Sequence, residues 1–130
     1  MTASGTLDIQ HDQREDFWCV QLQGNLDALT APTLKRDVDR LLSQGPEPRI
    51  IFDLSRLEFI DSSGVGSIVS LMKRGLGLRG EVRIAGLGGQ PKEIFQLLRL
   101  DRAFKVYPTV DSAATGDLEV EDVNPDSGGP

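Results

Sequence analysis

The residues best able to do chemistry lie in the run Asp53 to Gly66, DLSRLEFIDSSGVG. An apolar segment runs out, a loop follows, and an amphipathic segment starts at Asp61-Ser62-Ser63-Gly64. Two hydroxyls beside a carboxylate at a helix N-terminus suit one chemistry well. The first N–H groups of a helix have no acceptor inside it, and the dipole favours negative charge there by about 0.3–1 kcal/mol. A phosphate carried on Ser62 would meet those donors, and the helix would accept it without unfolding. The plain alternative is that Asp61 or Ser62 is only an N-cap, and spacing alone favours the cap.

Other chemistries find fewer residues. The one histidine, His11, sits in an alternating strand-like segment, so a serine hydrolase would lack a placed base. The G-x-S-x-G nucleophile pattern is absent around Ser62 and Ser63. Asp27, Asp53 and Asp61 could be imagined around magnesium, but capping explains Asp61 better. Gly86-Leu87-Gly88-Gly89-Gln90-Pro91-Lys92 is glycine-rich before a helix yet lacks the G-K-[ST] ending of a phosphate loop. It reads as a loop and helix start. No cofactor and no metal is expected. The single cysteine, Cys19, cannot pair within the chain and reads as a small packing residue.

The elements that must position Ser62 follow from periodicity. Leu7, Ile9 and His11, then Trp18, Val20 and Leu22, alternate with polar or smaller residues around a DQRED turn, which predicts a hairpin. Gly24 ends the second strand. Thr30 is the expected N-cap of a helix with Pro32 in its first turn and Leu34, Val38, Leu41 and Leu42 on one face. Residues 49–54, RIIFDL, predict a central strand covered on both faces. A second helix carries the stripe Val65, Ile68, Val69, Met72 and Leu76, with Lys73 and Arg74 on its solvated side. EVRIAG predicts a strand, Pro91 opens a third helix with Ile94, Phe95, Leu97 and Leu98, and FKVY predicts a last strand. Thr109 caps a short final helix through Ala113 and Ala114. The order β-β-α-β-α-β-α-β-(α) argues for one α/β domain with right-handed crossovers. Trp18 is expected in its core.

Size and charge set the outer bounds. The chain has 130 residues, enough for one core, with 26% charged residues and a formal charge of -6. Six acids, Asp111, Asp117, Glu119, Glu121, Asp122 and Asp126, follow residue 110 with no Lys or Arg among them. The preceding residues therefore balance to formal neutrality, and the net charge of -6 argues against nucleic-acid binding. Residues 116–130 have the composition of a disordered acidic tail, with solubility its plain role. No window reaches a membrane span, and the start MTASGTLDIQ has no leader-like pattern, so a cytoplasmic protein is expected.

Three segments carry a family resemblance. They are Gly24-Asn25-Leu26-Asp27, Phe52-Asp53-Leu54-Ser55, and Phe59-Ile60-Asp61-Ser62-Ser63-Gly64-Val65-Gly66, supported by Val82-Arg83-Ile84-Ala85-Gly86 and the third helix. In order and spacing the chain resembles the STAS-domain anti-sigma factor antagonists of bacteria over roughly residues 6–115. The resemblance implies a single STAS domain over 1–115: a small mixed sheet of about five strands, with three to four helices packed on one side. It implies a regulator rather than an enzyme. The unphosphorylated form would bind an anti-sigma factor, itself a serine kinase of histidine-kinase-like ATPase fold, and free the sigma factor. Phosphorylation would fall on Ser62, and a PP2C-type phosphatase would reverse it. Asp27, Asp61, Ser62, Ser63 and Gly64 would form the partner-binding surface, with Asp27 in a loop beside the phosphoacceptor. Asn25 stands where many members have glutamate. STAS domains also serve as subunits of lipid-transport complexes and as parts of anion transporters, and a subunit role would use the same surface without a phosphate.

Overall fold

The computed structural model describes residues 6–116. Apart from Gly116, the expected acidic tail lies outside the described residues. Five strands form one mixed sheet in sequential order: β1 (Leu7–Arg14), β2 (Phe17–Leu26), β3 (Arg49–Ile60), β4 (Glu81–Ala85) and β5 (Val106–Tyr107). β1 and β2 are antiparallel, and every later pairing is parallel. The hairpin is tighter than the sequence suggests. Arg14 pairs with Phe17, and Glu15 takes a left-handed φ of 59° in the turn. Parallel pairing requires crossovers, and helices supply them. These are α1 (Ala31–Leu42), α2 (Ser62–Gly77), α3 (Gly89–Leu97), the single turn α4 (Leu100–Ala103), and α5 (Val110–Thr115).

The expected helical face is present. Helices α1 to α4 cover one side of the sheet, where Val20, Leu22, Ile50, Phe52, Leu54 and Ile84 meet Leu34, Val38, Ile68, Met72 and Phe95. The short α5 goes to the other side and covers Phe17, Ile51, Ala85 and Tyr107 with Ala113. Thr109 and Ser112 form a capping box at its start. Arg83 locks it in place. Its guanidinium donates to the Ala113 carbonyl at 2.6 Å and lies 4.7 Å over the Phe17 ring.

Some expected faces are corrected. On α2, Leu71 and Gly75 are buried and Leu76 is exposed; on α3, Leu97 and Leu98 are exposed while Pro91 and Phe95 are buried. The third helix starts two residues early, at Gly89. Trp18 is half-buried at the edge of the core, with its ring set edge-on to His11 at 5.6 Å. Gly24 does not end β2, which continues to Leu26. At Gly24 φ is +110°, and a Cβ would fall 2.6 Å from the Thr6 carbonyl oxygen, so the residue bends the strand rather than stopping it.

β3 is longer than predicted, and it is irregular. Against β2 it gains one extra residue between Asp53 and Arg56 and another between Leu57 and Phe59. Each bulge shifts the side-chain alternation by one residue. As a result Ile50, Phe52, Leu54, Leu57 and Ile60 all point into the helical core, which strict alternation would forbid.

Glu81 sits where β4 meets this scaffold. Burial works against its charge, but hydrogen bonds from Arg83 (2.7 Å) and Lys105 (3.2 Å) outweigh that and hold its carboxyl below the usual 4.5. Above 4.5 the carboxylate is charged in both folded and unfolded chains, and its contribution is complete. As pH falls through the lower folded value, the unfolded chain has already taken its proton and the contribution is lost. The urea midpoint of wild type should therefore exceed that of Glu81→Gln near pH 7, and the gap should close as the pH drops below 4.5. A gap independent of pH would contradict this assignment.

Candidate functional site

The C-terminal ends of β2 and β3 bring two segments together. Leu26 ends β2 and Ile60 ends β3, and the two are paired in register. The Asp61 N–H donates to the Leu26 carbonyl at 3.2 Å. Asp61 then takes extended backbone and caps α2, its carboxylate accepting from Gly64 N–H at 2.9 Å. Val65 N–H closes the first helical bond on the Asp61 carbonyl. The N–H groups of Ser62 and Ser63 therefore lack an acceptor within the helix. Both serines are exposed. Capping and hydroxyl presentation are thus done by different residues, so the cap reading of Asp61 and the phosphoacceptor reading of Ser62 are compatible.

Gly64 is a packing requirement. A Cβ there would lie 2.3 Å from the Leu26 carbonyl oxygen and 2.8 Å from Ile60 Cγ1. Only the absence of a side chain lets the helix start sit against the end of β2.

Asp27 enters differently from an exposed contact residue. It is buried, and its carboxylate accepts from the N–H groups of Leu29 (3.0 Å) and Thr30 (3.2 Å). Its own N–H donates to Thr30 Oγ1 at 2.9 Å, and that hydroxyl donates to the Asn25 carbonyl at 2.9 Å. Thr30 is therefore not a side-chain cap of α1, as its type suggested. It is already in helical backbone, and its hydroxyl ties the loop together behind it. Thr30 does stand at the N-cap position of α1, as expected, while Asp27 forms an Asx-turn ahead of it. Asn25 is also buried.

The loop and the helix start enclose an open groove of about 600 Å³, lined by Ala28, Ala31, Pro32 and Lys35 on one side and Ser63, Gly66 and Ser67 on the other. Large apolar side chains also stand in the segments leading to the site. Leu29 is 71% exposed in the Asp27 loop, and Phe59 is 43% exposed two residues before Asp61. Neither was singled out from the sequence, because an apolar residue near a strand end reads as core.

Asp53 does not join this group. It lies eight residues earlier on β3, on the order of 25 Å along the strand. It faces the side opposite the main core, where its carboxylate accepts from the N–H and hydroxyl of Ser55 at 3.0 and 2.7 Å. Among the described residues no group of three His, Cys, Asp or Glu could hold a metal ion. Cys19, also on that side, is buried. Burial first, then the Asp53 and Asp12 carboxylates, push its thiol up to about 11. No helix among the described residues is long and apolar enough to cross a membrane.

Residues 8–113 match the family model described as the STAS domain. The chain is 26% identical over 118 residues to an anti-sigma F factor antagonist of Paenibacillus polymyxa, covering 91% of this chain and 98% of that one. Among solved structures it superposes on an anti-sigma factor antagonist from Mycobacterium paratuberculosis with a TM-score of 0.79, at 24% identity over 89% of this chain and 97% of that one. It is similar also to the anti-sigma factor antagonist SpoIIAA in its unphosphorylated form, with a TM-score of 0.70 at 22% identity, covering 90% of this chain and 96% of that one. At such identities the solved structures establish the fold.

Two substitutions test the site's construction. Gly64→Ala should lower unfolding stability by about 2 kcal/mol or more, because a backbone carbonyl cannot move aside cheaply. Asp61→Ala should cost about 1 kcal/mol through loss of the cap. Urea denaturation measures both; a neutral Gly64→Ala would contradict the close approach. Cys19 should resist alkylation at pH 8 in the folded protein and react once urea unfolds it.

Proposed function

The chain belongs to the STAS domain family, and on that premise we propose that it is an anti-sigma factor antagonist switched by phosphorylation of Ser62. The unphosphorylated protein binds an anti-sigma factor, a serine kinase of histidine-kinase-like ATPase fold, and so releases the sigma factor. The kinase uses ATP to phosphorylate Ser62 and ends the interaction. A PP2C-type phosphatase returns the protein to its binding form. It acts as a regulatory binding protein in the cytoplasm, not as an enzyme, and touches neither nucleic acid nor membrane.

One observation carries this reading. Ser62 is exposed at the first position of α2, directly after the residue whose carboxylate caps the helix. A hydroxyl so placed can enter a kinase's active site without local unfolding. The curated relative named an anti-sigma F factor antagonist supports the partner class. SpoIIAA, similar in fold at 22% identity, has a structure in its phosphorylated form, which supports reading Ser62 as a modification site.

The physics of the switch is local. A phosphate adds about -1.5 to -2 charges at pH 7. Free in solution, it is met by the N–H groups of Ser62 and Ser63 and by the positive end of α2. At an interface the same charge must be desolvated or paired. One unpaired charge there costs several kcal/mol, enough to weaken binding more than about 100-fold. Leu29 and Phe59 supply apolar contact area near that charge, Asp27 shapes the loop that presents Leu29, and Ser63 and Gly64 complete the surface.

The deciding experiment mixes the protein with candidate anti-sigma factor kinases and ATP and follows its mass. A single added phosphate that disappears in Ser62→Ala is the expected result; modification at another residue would refute the assignment. Ser62→Asp should weaken anti-sigma factor binding about 100-fold or more and leave the thermal midpoint nearly unchanged. Equal binding by the two forms would sink the charge mechanism and leave a non-phosphorylated STAS subunit, for example of a lipid-transport complex, as the better reading.

A further inference from the structure

We propose that Gln90 is a positioning residue for Ser62, acting through the end of β3. The inference rests on the reading of Ser62 as the phosphoacceptor and adds to it the device that aims it.

β3 runs to Ile60, but its ladder with β4 ends where Asp53 pairs with Ala85. Beyond that point the β4 side of β3 has no strand partner among the described residues. Backbone groups alternate sides along a strand. Asp61 N–H points to β2 and meets the Leu26 carbonyl, so the N–H and C=O of Ile60 point the other way. Ile60 is fully buried, and two unpaired backbone groups there would each be costly.

The Gln90 carboxamide meets both. Its Oε1 accepts from Ile60 N–H at 2.9 Å, and its Nε2 donates to the Ile60 carbonyl at 2.9 Å. A primary amide is the side chain that offers one donor and one acceptor in the geometry of a neighbouring strand's peptide group. It stands in for the missing residue of β4. Gly89, just before it, takes a left-handed φ of +56°, which swings the start of α3 back toward β3. The glycine-rich run Gly86–Lys92 thus delivers an amide to a strand end, a task that a phosphate-loop comparison does not suggest.

The consequence reaches the site in two residues. Ile60 is gripped by Gln90 on one side, Asp61 by Leu26 on the other, and Ser62 follows at once. Removing the amide frees the last strand residue and lets the cap of α2 drift. Such displacements near a reacting group lower rates far more than they lower stability.

The test uses the full chain with Gln90→Ala and with Gln90→Glu, which keeps an acceptor but sets a carboxylate against the Ile60 carbonyl. Amide hydrogen exchange at Ile60 and Gly64 should speed about tenfold or more in Gln90→Ala, and at Gly64 in Gln90→Glu, while Ile51 in the middle of β3 keeps its wild-type protection. Phosphorylation of Ser62 by the kinase that modifies wild type should slow about fivefold or more, with the protein still fully folded. Unchanged exchange at Ile60 and Gly64 would overturn the proposal. So would unchanged phosphorylation despite faster exchange, or a loss of protection spread equally to Ile51, which marks general destabilisation. If wild type itself accepts no phosphate, the reading of Ser62 has failed, and exchange at Gly64 alone decides whether Gln90 positions this helix start.

Discussion

The contact between the end of β2 and the start of α2 is the constraint on which the site depends. The Leu26 carbonyl accepts from Asp61 and lies where a Gly64 side chain would be. That approach fixes the helix relative to the sheet. It brings the Asp27 loop beside the serines and turns the first N–H groups of α2 toward solvent. Replace the glycine and the helix must retreat, carrying Ser62 away from the loop. The rest of the site is built outward from one backbone-to-backbone contact.

A switch on such a base needs no refolding. The Asp61 cap, the Asx-turn at Asp27 and the buried hydroxyl of Thr30 hold the surrounding backbone through short, mostly internal hydrogen bonds. On the proposed reading, charge added to Ser62 would change what the surface binds and leave its shape. The proposed design suits a body whose residues 1–110 are formally neutral, where a single phosphate is a large local perturbation.

The sequence was legible where one rule governed one element. Alternation marked the hairpin, the stripe Leu34, Val38, Leu41 and Leu42 marked α1, and Asp-Ser-Ser-Gly after an apolar run marked the helix start at Asp61. It misled where two rules competed. Thr30 does stand at the N-cap of α1, but its hydroxyl serves the Asp27 loop instead of the helix N–H groups. Leu76, Leu97 and Leu98 have core composition, yet they remain exposed. Alternation in β3 fails after Leu54 because two bulges insert residues against β2, and a bulge has no side-chain signature of its own. The resemblance of Asp-Ser-Ser-Gly to a known family did more for the site than spacing alone, which favoured a simple cap.

The sequence by itself determined the element types, the position of Ser62 at a helix start, and the neutrality of the body. Those follow from local chemistry: periodicity, capping and charge. Tertiary structure alone decided that α5 crosses to the second face of the sheet, that Asp27 is buried rather than displayed, and that Gln90 completes β3. Each depends on residues far apart in the chain, such as Arg83 with Ala113 or Gln90 with Ile60. Long-range partners are chosen by which buried backbone groups remain unpaired once the sheet has formed, and no local pattern records that remainder.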